Sequence, residues 1–286
     1  MKARTILVML MLAISHYGYT QCKSVTVESV SNYTAFAIDS LYETDGLRNG
    51  DDYDGATLYF PNKRNKNLKS IVLVPGYKAT QRSVSLWAKY FAERGYVAMT
   101  IGTNVLTDSP ALRAKALIDG IETIRQENKR RGSPLFKKLD TKNIAVGGWS
   151  MGGGGAQLAA KLDGSIKAVI AIAPWLYTKT IQPSDLDHAV PVLIISGQVD
   201  PTAPPKSHSN VHYDYTPATT KKMLYEITEG NHSTPLFPSA GNGDVGNVGY
   251  AWLQMYLNDS GCYSTMLSTN SLNQNSTASK HQTNVN

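Results

Sequence analysis

Cysteine is nearly absent from this 286-residue chain: Cys22 and Cys262 are the only two. That count excludes a scaffold held by several disulfides and a cysteine-rich zinc site. No His-Glu-x-x-His run occurs either, so neither a catalytic metal nor any cofactor is expected. Long hydrophobic runs are also missing. The apolar run at residues 6–14 is too short to cross a bilayer comfortably, and no later segment reads as a span. That run follows Lys2 and Arg4 and precedes polar Ser15 and His16, the pattern of an export leader. Residues 1–21 are therefore read as a secretory signal, with the mature protein extracellular or periplasmic. Tyr19, Thr20 and Gln21 fit a lipid-attachment site poorly, so no membrane anchor is expected. An oxidising compartment permits a Cys22–Cys262 disulfide, and one is expected, with two separate thiols as the alternative.

The net charge is +6, with basic clusters at residues 63–69 and Lys129-Arg130-Arg131. Neither cluster interleaves with aromatics, so a solvated basic surface is expected and a nucleic-acid partner is not. The chain is long enough for one large domain, expected as a monomer.

What is present is alternation. Residues 33–42 and 55–61 read as antiparallel strands around the polar turn Asn49-Gly50-Asp51-Asp52-Tyr53-Asp54. Short apolar strands follow at 70–74, 96–101, 143–147, 168–173, 191–196 and 221–228. Helical patterns separate them at 84–94, from Pro110 onward with Leu112, Ala116, Leu117, Ile121 and Ile124 on one face, at 152–162 and at 248–257. Continuous apolar strands between helices predict an α/β fold: a mostly parallel sheet covered on both faces, with no large lid. The predicted domain covers 22–263. Residues 264–286, rich in Ser, Thr and Asn, read as a flexible tail.

At 148–152 the strand gives way to the helix through Gly148-Trp149-Ser150-Met151-Gly152, a Gly-x-Ser-x-Gly turn. Such a turn lifts a serine out of the chain, and flanking glycines make room for it. The glycines at 152–155 lack the Lys-Ser/Thr of a phosphate loop, so tight helix–sheet packing explains them better. A serine hydroxyl needs an imidazole to take its proton, and an acid to orient that imidazole. Sites on parallel sheets lie beyond the C-terminal strand ends. Tyr77, Ser150, Trp175, Asp200 and His232 each follow such an end. His232 is the candidate base. His188 precedes its strand, His208 and His212 lie in a connection, and His281 is in the tail. Asp200 is the candidate acid; Asp185, Asp187, Asp214 and Glu229 are less well placed. The backbone amides of Met151 and Tyr77 are the candidate oxyanion donors. Tyr77 and Trp175 also form a candidate aromatic pair flanking an acyl group, with the side chain of Met151 beneath.

Together these stretches resemble the bacterial polyester hydrolases, cutinases and lidless lipases of the α/β-hydrolase fold, including the PET-degrading enzymes. The resemblance spans about residues 30–263. It is carried by the glycine-rich elbow, Val74-Pro75-Gly76-Tyr77-Lys78-Ala79, Ala173-Pro174-Trp175, Asp200-Pro201-Thr202-Ala203-Pro204, Gly230-Asn231-His232-Ser233 and Tyr250-Ala251-Trp252-Leu253. It implies Ser150 as nucleophile, Asp200 as acid, His232 as base, and Tyr77 and Met151 as oxyanion donors. It adds Thr202 to Tyr77, Met151 and Trp175 in an ester-binding groove. Ser233 is similar to a position that leaves space for the groove tryptophan to change rotamer. The expected function is a secreted serine ester hydrolase, cleaving polyester or short acyl esters. A triacylglycerol lipase or small-ester esterase and a non-catalytic surface protein are the alternatives. The chain departs from the family where Gly102-Thr103-Asn104 replaces a frequent Asp-Thr-Asn, and it lacks the family's usual C-terminal disulfide.

Overall fold

Among the described residues, nine strands form one sheet in the order β1-β2-β4-β3-β5-β6-β7-β8-β9. In chain order they are β1 (Ile38–Tyr42), β2 (Ala56–Pro61), β3 (Leu68–Val74), β4 (Val97–Ile101), β5 (Leu139–Trp149), β6 (Val169–Ile172), β7 (Val192–Gly197), β8 (Lys222–Ile227) and β9 (Ala278–Thr283). The six from β4 to β8 run parallel, while β1, β2 and β9 pair antiparallel at the edges. The structure, a computed structural model, describes residues 25–62, 66–176, 181–268 and 277–285. The proposed leader at 1–21 and Cys22 lie outside the described residues.

Successive side chains of the central strands enter opposite cores, as a sheet covered on both faces requires. Val72, Val146, Val169 and Ile194 enter one core. There they meet α3 (Pro110–Glu127) and α4 (Met151–Leu162) through Leu117, Ile121, Ile124 and Ala156. Ile71, Leu73, Ala145, Ile170 and Leu193 enter the other. They pack against α2 (Ser85–Glu93) and α6 (Asp244–Leu257) through Trp87, Phe91, Trp252 and Leu253. Short helices α1 (Val27–Ser31), α5 (Ser209–Tyr215) and α7 (Ser264–Leu267) complete the layers.

Three expectations change. First, α6 begins at Asp244, earlier than the pattern suggested. Gly246 and Gly249 disguise its start, because they sit where α6 presses on α2: a Cβ at Gly249 would lie 2.6 Å from Trp87 Cζ3. Second, Leu112 is 45% exposed and Arg113 is buried in its place. The inner stripe of α3 runs through Arg113, Leu117, Gly120, Ile121 and Ile124.

Third, the tail from Ser264 is not structureless throughout. Met266 and Leu267 are buried in α7, and β9 pairs with β8 from Met223↔Thr283 to Ile227↔Ala278. The side chain of Asn284 fastens this end, accepting from Lys222 N at 2.8 Å and donating to Thr220 O at 2.8 Å. An edge strand needs only one partner and no apolar face, which is why Ala-Ser-Lys-His-Gln-Thr gives no strand signal. It covers an otherwise open edge of β8. The expected Cys22–Cys262 disulfide has one of its two residues, Cys22, outside the described residues. A contact of the N-terminal region that is described is Asn247 Nδ2 donating to Ser31 Oγ at 2.8 Å.

Histidines away from the sheet's C-terminal rim tie stability to pH. Burial pushes the imidazoles of His188 and His281 down to about 4, and that of His212, with help from His208 and His188, to about 3. An unfolded histidine binds its proton near pH ~6.5. Between that value and about 4 the unfolded chain holds more protons than the folded one. Stability is therefore full above about pH 6.5 and is lost as pH falls through that window, by about 1.4 kcal/mol per pKa unit for the buried His188 and His212 and by less for the partly exposed His281. Urea midpoints measured from pH 7 to pH 4 are expected to fall steadily; a flat profile would contradict this burial.

Candidate active site

Ser150 stands between β5 and α4 with φ 56° and ψ −120°, a conformation that L-residues rarely adopt. Three backbone bonds hold the turn: Ser150 N donates to Ile172 O at 2.8 Å, and Ser150 O accepts from Trp175 N at 2.9 Å and Gly154 N at 3.1 Å. The flanking glycines are required by contact rather than by φ. A Cβ at Gly148 would lie 2.5 Å from the Gly152 carbonyl carbon, and one at Gly152 would lie 2.4 Å from Val74 O. Lys78, Ala173 and Glu229 also have positive φ, and each sits in a loop at the same rim. Such strain gathers where a fold fixes side chains for use.

The acid and base candidates arrive from the ends of β7 and β8. His232 Nε2 lies 2.9 Å from Ser150 Oγ, and His232 Nδ1 lies 2.6 Å from Asp200 Oδ2. The other carboxylate oxygen, Oδ1, accepts the backbone N–H groups of Thr202 and Ala203, each at 2.8 Å. Asp200 and Ser150 are buried, while His232 is partly open to solvent. Burial pushes the Asp200 carboxyl up. The bonds from His232, Ala203 and Thr202, with the charge of His232, outweigh it and leave the group below its ordinary value. A carboxylate so held fixes the imidazole tautomer with Nδ1–H toward the acid and Nε2 toward the serine.

The other predicted positions are distributed as follows. Tyr77 follows β3, half exposed, and Met151 begins α4, where the first amides of a helix lack an intrahelical acceptor. Trp175, partly buried, follows β6; Thr202 is exposed and spends its amide on Asp200. Ser233 is exposed, and its amide donates to Asn231 Oδ1 at 3.0 Å. The ring stacked on Trp175 is His208, with centroids 6.2 Å apart and planes at 24°. Trp175 is thus braced by a histidine from the connection between β7 and β8. Burial pushes the His208 imidazole down, against the charge of Asp200.

A second contribution was missed. Trp149, inside the elbow, donates its indole N–H to the His232 carbonyl at 3.0 Å, and its ring sits 5.1 Å from the imidazole. The residue before the nucleophile thereby clamps the loop of the base. Its position within the Gly-Trp-Ser motif was visible, but its partner across 83 residues was not. Among the described residues no group of three or more His, Cys, Asp and Glu converges as a metal site. No described helix is long and apolar enough to cross a membrane.

Comparison with known proteins agrees in extent with this architecture. The family model described as PET hydrolase-like matches residues 23–286. Cutinase est1 of Thermobifida alba is 32% identical over 217 residues, covering 76% of this chain and 70% of its own. Cutinase 2 of Thermobifida cellulosilytica is 30% identical, with 76% and 79% covered. A bis(hydroxyethyl) terephthalate hydrolase of Streptomyces coelicolor is 28% identical over 216 residues, with 75% and 66% covered.

Proposed function

Because the chain belongs to the PET hydrolase-like family, we propose that it is an exported serine hydrolase that cleaves polyester chains and short acyl esters through an acyl-enzyme on Ser150. The observation that carries this reading is the pair of contacts from His232, 2.9 Å to the serine and 2.6 Å to the acid. His232 Nε2 takes the hydroxyl proton as Ser150 Oγ attacks the ester carbonyl. Asp200 stabilises the imidazolium that forms. The N–H groups of Met151 and Tyr77 receive the negative charge on the carbonyl oxygen, the step where an electrostatic contribution is largest. His232 then protonates the leaving alcohol. Water, deprotonated by the same imidazole, attacks the acyl-enzyme and releases the acid.

Tyr77, Trp175 and the side chain of Met151 line the groove beside the serine, with Thr202 and Ser233 at its rim. Tyr77 is 48% exposed, which supports a groove open to a chain-like substrate. The basic-then-apolar leader supports export. The test is a panel of tributyrin, long triglycerides, polycaprolactone and an aromatic polyester film, with fluorophosphonate labelling as control. Ser150-dependent labelling with release of soluble products from at least one polymer is expected. Strong preference for emulsified long triglycerides would make the protein a lipase. Absence of labelling in the folded wild type would remove the enzyme reading.

A further inference from the structure

Arg113 has no part in the relay described above, yet its burial is costly. It lies in the first turn of α3 with 0% exposure. Among the described residues, Nη2 donates to the Leu106 carbonyl at 3.1 Å, while Nε and Nη1 have no partner. The nearby carboxylate, Asp108, is engaged in its own loop, accepting Val105 N at 3.1 Å. Burial draws the guanidinium down to about 10, against the charge of Asp108, which leaves it a cation at neutral pH. Glycine in α4 brings the helices together here: a Cβ at Gly155 would lie 2.9 Å from Arg113 Cβ. A well-packed apolar side chain of similar length would cost the fold less than a buried cation with one bond.

The one bond it makes falls on a junction. Leu106 O also accepts the backbone N–H of Lys78 at 2.8 Å. Lys78 has φ 56° and directly follows Tyr77. We propose that Arg113 is a positioning residue for the oxyanion hole: it pins the Leu106 carbonyl, the carbonyl holds the Lys78 amide, and the Tyr77 N–H is thereby aimed at the substrate. This rests on the reading of Tyr77 as an oxyanion donor. A hydrogen bond from a cation is stronger than a neutral one, so the carbonyl is held more firmly than Lys78 alone could hold it.

The experiment compares Arg113→Met and Arg113→Lys with wild type on a soluble p-nitrophenyl ester. Small misplacement of catalytic groups costs about 100-fold in rate. The Met variant is expected to lose about 10- to 100-fold in kcat with KM nearly unchanged, and to slow fluorophosphonate labelling by the same factor. Its melting temperature is expected to equal or exceed that of wild type. The Lys variant, keeping a cation, is expected to recover part of the loss. Wild-type kcat in the Met variant, or a Lys variant no better than Met, would overturn the proposal. If the Met variant does not fold, amide exchange at Lys78 decides. It is expected to be faster in Arg113→Lys than in wild type, and equal rates would overturn the link. A wild type without Ser150-dependent hydrolysis would instead remove the ester-hydrolase reading, while the exchange measurement would still test the Arg113–Leu106–Lys78 connection.

Discussion

Ser150→Ala is expected to lower kcat on any ester substrate by about a million-fold and to abolish fluorophosphonate labelling, with the fold intact. The turn at Ser150 is held by backbone bonds to Ile172, Trp175 and Gly154, none of which uses the hydroxyl. Alanine carries the same Cβ as serine, so it meets the same φ of 56° with similar strain. Among the described residues, the Ser150 hydroxyl meets His232 Nε2 at 2.9 Å. Loss of that contact takes away the nucleophile and leaves the oxyanion donors and the groove in place. Circular dichroism and the melting curve should match wild type while ester release falls to the residual level. A Ser150→Ala variant retaining even one hundredth of wild-type kcat would mean that another group attacks the ester.

Asp200→Asn is the subtler substitution, with an expected loss in kcat of about 10⁴-fold. The side chain changes little in shape, but its two ends are no longer alike. At Asp200 one oxygen accepts the Thr202 and Ala203 amides, while the other faces His232 Nδ1 at 2.6 Å. Asparagine must direct its carbonyl oxygen to the two amides, since an NH₂ there would oppose two donors. Its NH₂ then points at Nδ1, which has to become an acceptor. The imidazole proton is forced onto Nε2, where it faces Ser150 with nothing to take the serine proton. The imidazolium that forms during attack also loses its counter-charge. Steady-state kinetics beside a structure or NMR tautomer assignment of the variant checks both halves. Near-normal kcat would show that Asp200 does not govern the imidazole.

The parallel sheet and the elbow were legible in the sequence for one reason: their signals are local. Apolar runs such as 70–74 and 191–196 are bounded by turn residues, and the glycines around Ser150 sit where contact demands them. Chain order and strand ends then singled out Asp200 and His232 among rivals. What escaped lacks a local signal. Strand β9 is polar because one side faces water and a single partner suffices. Helix α5 is only Ser209–Tyr215, too short to show a period, so His208 looked incidental although its ring braces Trp175. Arg113 inverted the expected face of α3, because a buried cation next to Leu112 reads as solvent-facing by composition. The Trp149–His232 contact joins residues that only the finished sheet brings together.

Strand β9 has a practical bearing on how the protein can be handled. It runs antiparallel to β8, so Thr283 lies beside Met223 at the start of that strand, while His232 lies past the strand's other end. Grafted to a bead or fibre through residues just after Thr283, the molecule would stand with the rim that carries Ser150 and His232 turned outward. Trimming those residues to shorten a fusion would strip away a paired strand and bare the backbone of β8.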